Sequence, residues 1–165
     1  MPLYVRPALP QDNQFVYQLL WQVVYEQLQA ARWDPSFRDH LLDLQVRVRC
    51  GAYAARWPQA EHAIIMLDDE PVGRLLIDRS GPNYHLVDIA VLPKRQGAGI
   101  GTRLVLGLCM EAEIMGKSVR LRVSVGNPRA ADLYKRLGFR VIEDQETDWL
   151  MERSPGATAQ VIAAP

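Results

Sequence analysis

The sequence predicts an α/β fold built on a mixed sheet. Three observations carry that expectation. Apolar residues recur with a period of two in some segments and with helical spacing in others. Closely spaced strands in the middle of the chain can pair as a meander. A helical segment over 97–115 separates two strands by the length a crossover between parallel neighbours needs. The expected order is strand, two helices, three strands, helix, strand, helix, two strands.

Each element has a local cause. Leu3 to Arg6 reads as a short strand closed by Pro7, and Pro10-Gln11-Asp12-Asn13 supplies helix-start chemistry. Phe15, Leu19, Leu20, Val23, Val24 and Leu28 then recur at helical spacing. After the break Arg32-Trp33-Asp34-Pro35, Ser36 with Asp39 resembles a capping box. Phe37, Leu41, Leu44, Val48 and Ala55 are expected on the core face of this second helix, which ends near Trp57-Pro58. Ala63 to Leu67 and Val72 to Ile77 form a hairpin around Asp68-Asp69-Glu70-Pro71. Leu86 to Val91 is the next strand.

In the helix that follows, Ile100, Leu104, Leu108 and Met115 fall on one side, with Gly116 as C-cap. Val119, Leu121, Val123 and Val125 alternate with Arg120, Arg122 and Ser124, as in a strand with unlike faces. Asn127 before Pro128 is suited to cap a short helix that ends at Gly138. Phe139 to Ile142 and Trp149 to Met151 are the last two strands, around an acidic turn. Residues 1–153 read as one domain and 154–165 as a weakly patterned, mobile tail.

Composition narrows the function classes. A chain of 165 residues buries roughly 70% of its unfolded surface and needs no covalent staples. Basic and acidic residues number 19 each, so no global field recruits nucleic acid or an anionic membrane. Cys50 and Cys109 lack short-range partners and read as reduced, buried residues of a cytoplasmic protein. No basic leader, membrane-length apolar run or metal-ligand spacing of His40, His62 and His85 is visible, so neither membrane nor metal is expected.

The most informative stretch is Val91 to Thr102, Val-Leu-Pro-Lys-Arg-Gln-Gly-Ala-Gly-Ile-Gly-Thr. A strand that turns through three glycines into a helix N-terminus presents several unpaired N–H groups to an anion, and phosphate suits it best. A Walker loop needs Lys and then Ser or Thr after its last glycine, whereas Gly101 precedes Thr102-Arg103. A dinucleotide loop needs a different glycine spacing and an acidic residue at the end of the next strand, which carries Arg120 and Arg122 instead.

Gln96-Gly97-Ala98-Gly99-Ile100-Gly101 resembles the Gln/Arg-x-x-Gly-x-Gly/Ala loop of the GNAT superfamily of N-acetyltransferases. Asn127, followed by Ala130-Ala131-x-Leu133-Tyr134-Lys135-x-Leu137-Gly138-Phe139, resembles that superfamily's downstream segment. Val5-Arg6-Pro7-Ala8 before Asp12 is similar to its opening strand, so the resemblance reaches about Glu152. It implies a largely antiparallel sheet with a central, splayed parallel pair and flanking helices. It also implies acetyl-coenzyme A as co-substrate, held by Gln96, Gly97, Ala98, Gly99, Ile100, Gly101 and Thr102. The pantetheine arm would then run along Ile89, Ala90 and Val91, with Asn127 as a further polar contact.

On that resemblance, a main-chain N–H near Ile89 or Ala90 polarises the thioester carbonyl. Tyr134, a phenol protonated at neutral pH, is the expected general acid for the departing sulfur; a core aromatic is the other reading of the same residue. Asp88 is the first candidate for general base, against the alternative that it points away or bonds locally. Some protein N-terminal acetyltransferases of the superfamily carry a Glu five residues before the Asn, and this chain has Arg122 there.

The partner expected is a small-molecule or peptide amine. It would be read by residues 32–36 and by the acidic run Glu143-Asp144-Gln145-Glu146-Thr147-Asp148, with a homodimer as an assembly common in the superfamily. Transfer of a longer acyl group and coenzyme binding without turnover remain the alternatives.

Overall fold

The structure is a computed structural model and describes residues 2–158. Seven strands and four α-helices follow the expected order: β1 (Leu3–Pro7), α1 (Asn13–Gln27), α2 (Pro35–Arg56), β2 (Glu61–Leu67), β3 (Glu70–Asp78), β4 (Tyr84–Val91), α3 (Ile100–Ile114), β5 (Val119–Ser124), α4 (Pro128–Arg136), β6 (Arg140–Gln145) and β7 (Asp148–Arg153). The sheet order is β1-β2-β3-β4-β5-β7-β6. Antiparallel pairing joins β1 to β2, β2 to β3, β5 to β7 and β6 to β7. The parallel pair is β4 with β5, as expected for strands joined through α3. Its register runs from Tyr84↔Val119 to Leu86↔Leu121, whereas β4 continues to Val91 and β5 to Ser124.

The described residues fall into two compact units. One holds the chain up to Ile77 together with Asp88–Ile100; the other holds Asp78–Val87 and the chain from Gly101 onward. In the first unit, Val16, Leu19, Leu20, Val23 and Val24 of α1 form a stripe at helical spacing. They are buried in one cluster with Leu42 and Val46 of α2, Ile64 and Met66 of β2, and Ala90 of β4. The β2–β3 turn places Asp68 and Asp69 at φ 49° and 63°, the left-handed pair that suits a two-residue hairpin. At Gly73 an added Cβ would lie 2.3 Å from the Ala90 carbonyl oxygen, so only glycine lets β3 approach β4 there.

Helix α2 departs from the sequence reading in two ways. Its N-cap is Asp34, whose carboxylate accepts from the Ser36 N–H at 2.8 Å, with Pro35 as first helical residue. The Ser36–Asp39 capping box does not form the start. Its buried residues are Leu42 and Val46, whereas Phe37, Leu44 and Val48 are about half exposed. The inward face continues through Arg49 and Tyr53, and the reason for a polar inward face lies in the partners described below.

In the second unit, α3 buries Val105, Leu108, Cys109 and Ala112, and Met115 is exposed rather than on the core side. Gly116 takes φ 64° after the helix, as its C-cap role requires. Strand β5 buries Val119, Leu121 and Val123 and leaves alternate residues outward. The Asn127 Oδ1 accepts from the Ala130 N–H at 3.2 Å, capping α4. Strands β6 and β7 are longer than expected, and every residue of β6 is exposed. Cys109 is buried and Cys50 half-buried; neither is in a disulfide. Of the expected tail, Arg153 holds the Ala157 carbonyl, and 159–165 lie outside the described residues.

Candidate functional site

The end of β4 and the loop after it carry most of the residues singled out by the sequence. Alternation along β4 buries Asp88 and Ala90 and leaves Val87 and Ile89 partly accessible, with Val91 buried at the strand end. The loop begins with a 3-10 turn, Pro93–Arg95, and the Gln96 side-chain amide donates to the Val91 carbonyl at 3.1 Å, closing its base.

Gly97 and Gly99 then adopt φ 80° and 76°, which side chains with a Cβ tolerate poorly. Gln96 to Gly99 are all exposed, and a Cβ added at Gly99 or Gly101 would meet nothing within 4 Å. The space over the loop is therefore open, and the first turn of α3, from Ile100 through Thr102, points N–H groups without intrahelical partners toward it. Oriented amides, an N-terminal dipole and no covering side chain make a cradle for an oxyanion, and the residues present fit a diphosphate.

Asp88 is the centre of a buried ionic cluster in the first unit. Its Oδ2 accepts from Arg74 Nε at 3.0 Å and from Arg74 Nη2 at 2.7 Å; its Oδ1 is approached by Arg49 Nη2 at 3.4 Å. The side chains of Arg74 and Asp88 are 4% and 5% exposed. Arg49 Nε also donates to the Tyr53 hydroxyl at 3.2 Å, and both guanidiniums lie near the Tyr53 ring. Burial, followed by the Asp88 charge, pushes the Tyr53 phenol above its ordinary value.

Next to Arg74, burial and then the Arg74 charge hold His62 below its ordinary value, so it is neutral at pH 7. Its Nε2 is buried without a hydrogen-bond partner. Arg49, Tyr53, His62 and Arg74 were not singled out as functional residues from sequence. The one available signal was Arg74 itself, a charge inside the otherwise apolar run Val72 to Ile77.

Tyr134 and Asn127 belong to the second unit. Tyr134, 8% exposed, lies in the last turn of α4 and packs edge-on against Phe139, with ring centroids 5.7 Å apart. Asn127 holds the other end of the same helix. In the acidic hairpin, Asp148 accepts from Arg122 at 3.0 Å, so part of that run's charge is compensated. Among the described residues, no three or more His, Cys, Asp or Glu gather as a metal site, and no helix is long and apolar enough to cross a membrane.

Known proteins resemble this chain in sequence and in fold. The thialysine N-epsilon-acetyltransferase of Mus musculus is 36% identical over 85 residues, covering 51% of this chain and 49% of that protein. An N-alpha-acetyltransferase of Sulfurisphaera tokodaii is 35% identical over 83 residues, covering 49% and 47%. The chain thus spans about half the length of the curated relatives it matches. In fold it is similar to the PaiA N-acetyltransferase of Thermoplasma acidophilum, solved in complex with coenzyme A. The TM-score is 0.69 at 15% identity, over 93% of this chain and 99% of that one. The family model for the GNAT acetyltransferases matches residues 15–139, most of the chain, and this protein belongs to that family.

Proposed function

We propose that this protein transfers an acetyl group from acetyl-coenzyme A to a primary amine, by direct attack within a ternary complex. The observation that carries the reading is the open glycine loop, with Gly97 and Gly99 in left-handed conformations at the head of α3. In this reading the amides from Gly97 to Thr102 hold the diphosphate, and Gln96 keeps the loop closed on Val91. Ile89, Ala90 and Val91 offer main-chain groups to the pantetheine arm, and Ala98, Ile100 and Asn127 complete the contacts. The names of the matched relatives, both N-acetyltransferases, support an amine acceptor, and the PaiA complex supports a coenzyme A ligand.

The coenzyme supplies an activated thioester; the chain supplies position and proton traffic. A main-chain N–H at Ile89 or Ala90 donates to the carbonyl oxygen as negative charge gathers there. The amine nitrogen forms the new C–N bond, the C–S bond breaks, and Tyr134 gives its phenolic proton to the departing sulfur. Asp88 accepts the proton the nitrogen must lose, directly or through water. Both Arg74 bonds fall on Oδ2, so Oδ1, approached by Arg49 at 3.4 Å, has capacity left.

The same engagement of Asp88 favours a second reading, coenzyme binding without turnover. Thiol release across a panel of amines tests both: release with any amine supports the transferase, and binding without release across the panel favours the sensor. A series of acyl-coenzyme A donors of rising chain length tests the preference for acetyl. The reading takes 1–153 as the catalytic domain of a cytoplasmic protein, with a homodimer as its assembly and neither nucleic acid nor membrane as partner.

A further inference from the structure

Beside the ionic cluster, the first unit opens into a recess of about 390 Å³. Arg74 and His62 supply its polar lining, Tyr53 and Trp57 its aromatic walls, and Leu76 and Ala54 part of its apolar surface. Three features of this recess are unexplained by the fold. Two guanidiniums, Arg49 and Arg74, share the single carboxylate of Asp88, an excess of one positive charge beside it; the Arg74–Asp88 pair is buried and Arg49 is 26% exposed. Buried charges are ordinarily compensated, because an uncompensated one carries its full desolvation cost. Asp12, whose charge also acts on His62, is already paired with Arg6 at 2.8 Å. Next, Asp88 occupies Nε and Nη2 of Arg74 and leaves Nη1. Finally, His62 brings a buried Nε2 with no partner to the same recess.

We propose that this recess is a carboxylate-binding site, in which Arg74 Nη1 and His62 Nε2–H donate to a carboxylate seated on the aromatic walls. On the transferase reading above, the carboxylate belongs to the acceptor, which is then an amino acid or another amine bearing an acid group. The connection supports this: Arg74, which lines the recess, is bonded to Asp88, the residue just before the stretch Ile89 to Val91 assigned to the thioester. A carboxylate satisfies two donors with one planar group and cancels the extra charge. The apolar lining favours a ligand with a hydrocarbon or aromatic body over a bare ion.

The test uses the full chain and two probes that cannot react, N-acetylphenylalanine and N-acetylphenethylamine, which differ only in the carboxylate. Calorimetry should give the acid at least about tenfold tighter binding, the range for a hydrogen-bonded charged group. Ala54→Trp, at an exposed lining position, fills the recess and should abolish the difference; His62→Ala should reduce it severalfold. Arg74→Met removes it if the variant folds, and the other two variants decide the matter if it does not.

Equal affinity for the two probes, or a preference for the acid that survives Ala54→Trp, overturns the proposal. So does inorganic phosphate that displaces the acid at equal concentration, since the site is then a general anion sink. Kinetics separate this inference from the one beneath it. Thiol release with phenethylamine as fast as with phenylalanine overturns the recess alone. An intact preference for the acid with no thiol release from any amine supports the recess and removes the transferase.

Discussion

Asp88, Arg74 and Tyr134 show how differently single residues can be tested. Replacing Arg74 by Met leaves Asp88 buried with only the 3.4 Å contact to Arg49, so breaking the pair should cost about 3–5 kcal/mol in urea unfolding. A loss within experimental error would show that water reaches the cluster. Tyr134→Phe keeps the ring that packs on Phe139 and removes only the hydroxyl. We expect kcat to fall roughly a hundredfold with coenzyme affinity nearly intact, because the proton is needed only in the transition state. Unchanged turnover would remove Tyr134 as the acid.

Asp12 gives a pH signature. Its hydrogen bonds from Arg6 and then from the Leu9 N–H hold its carboxyl at about 2, against an ordinary value of 3.8. The folded form thus binds protons less readily than the unfolded one. Its contribution is present above about pH 4 and is lost as pH falls toward 2. Melting temperatures of the protein and of Asp12→Asn should therefore converge over that window; parallel curves would contradict the assignment.

At the scale of elements, helix α2 is the clearest case of context overriding pattern. Its sequence offers an apolar stripe through Phe37, Leu41, Leu44 and Val48, and the protein turns the neighbouring stripe, Leu42, Val46, Arg49 and Tyr53, inward. The buried Asp88 on β4 explains the choice, since it needs cations within reach and Arg49 stands on that face. Strands β3 and β4 carry a second element-level constraint. Gly73→Ala would place a methyl 2.3 Å from the Ala90 carbonyl oxygen and force the strands apart. We expect a loss of about 1–3 kcal/mol, the usual cost of overpacking. Ala90 also belongs to the stretch assigned to the coenzyme arm, so coenzyme affinity should fall as well. Native stability with native affinity would show that the two strands can separate freely.

For the whole molecule, binding and stability are linked. Coenzyme A at a hundred times its Kd should raise unfolding free energy by about 2.7 kcal/mol if the open loop holds it. Gly99→Val puts a β-branched residue at φ 76° and should erase that shift while the unliganded fold persists. Retention of the shift would mean that the loop is only a turn.

What the sequence determined by itself is the order of elements and the short-range devices: the glycine loop, the Asn127 cap and the alternation of β5. Each of these is decided among residues a few positions apart, where backbone geometry and local hydrogen bonds suffice. Only the tertiary structure decided which face of α2 is buried, and that Arg74 and Arg49 meet on Asp88. Those partners stand 14 and 39 residues from it along the chain. A buried charge selects its counterions by proximity in space, and spacing along the chain carries no record of that choice.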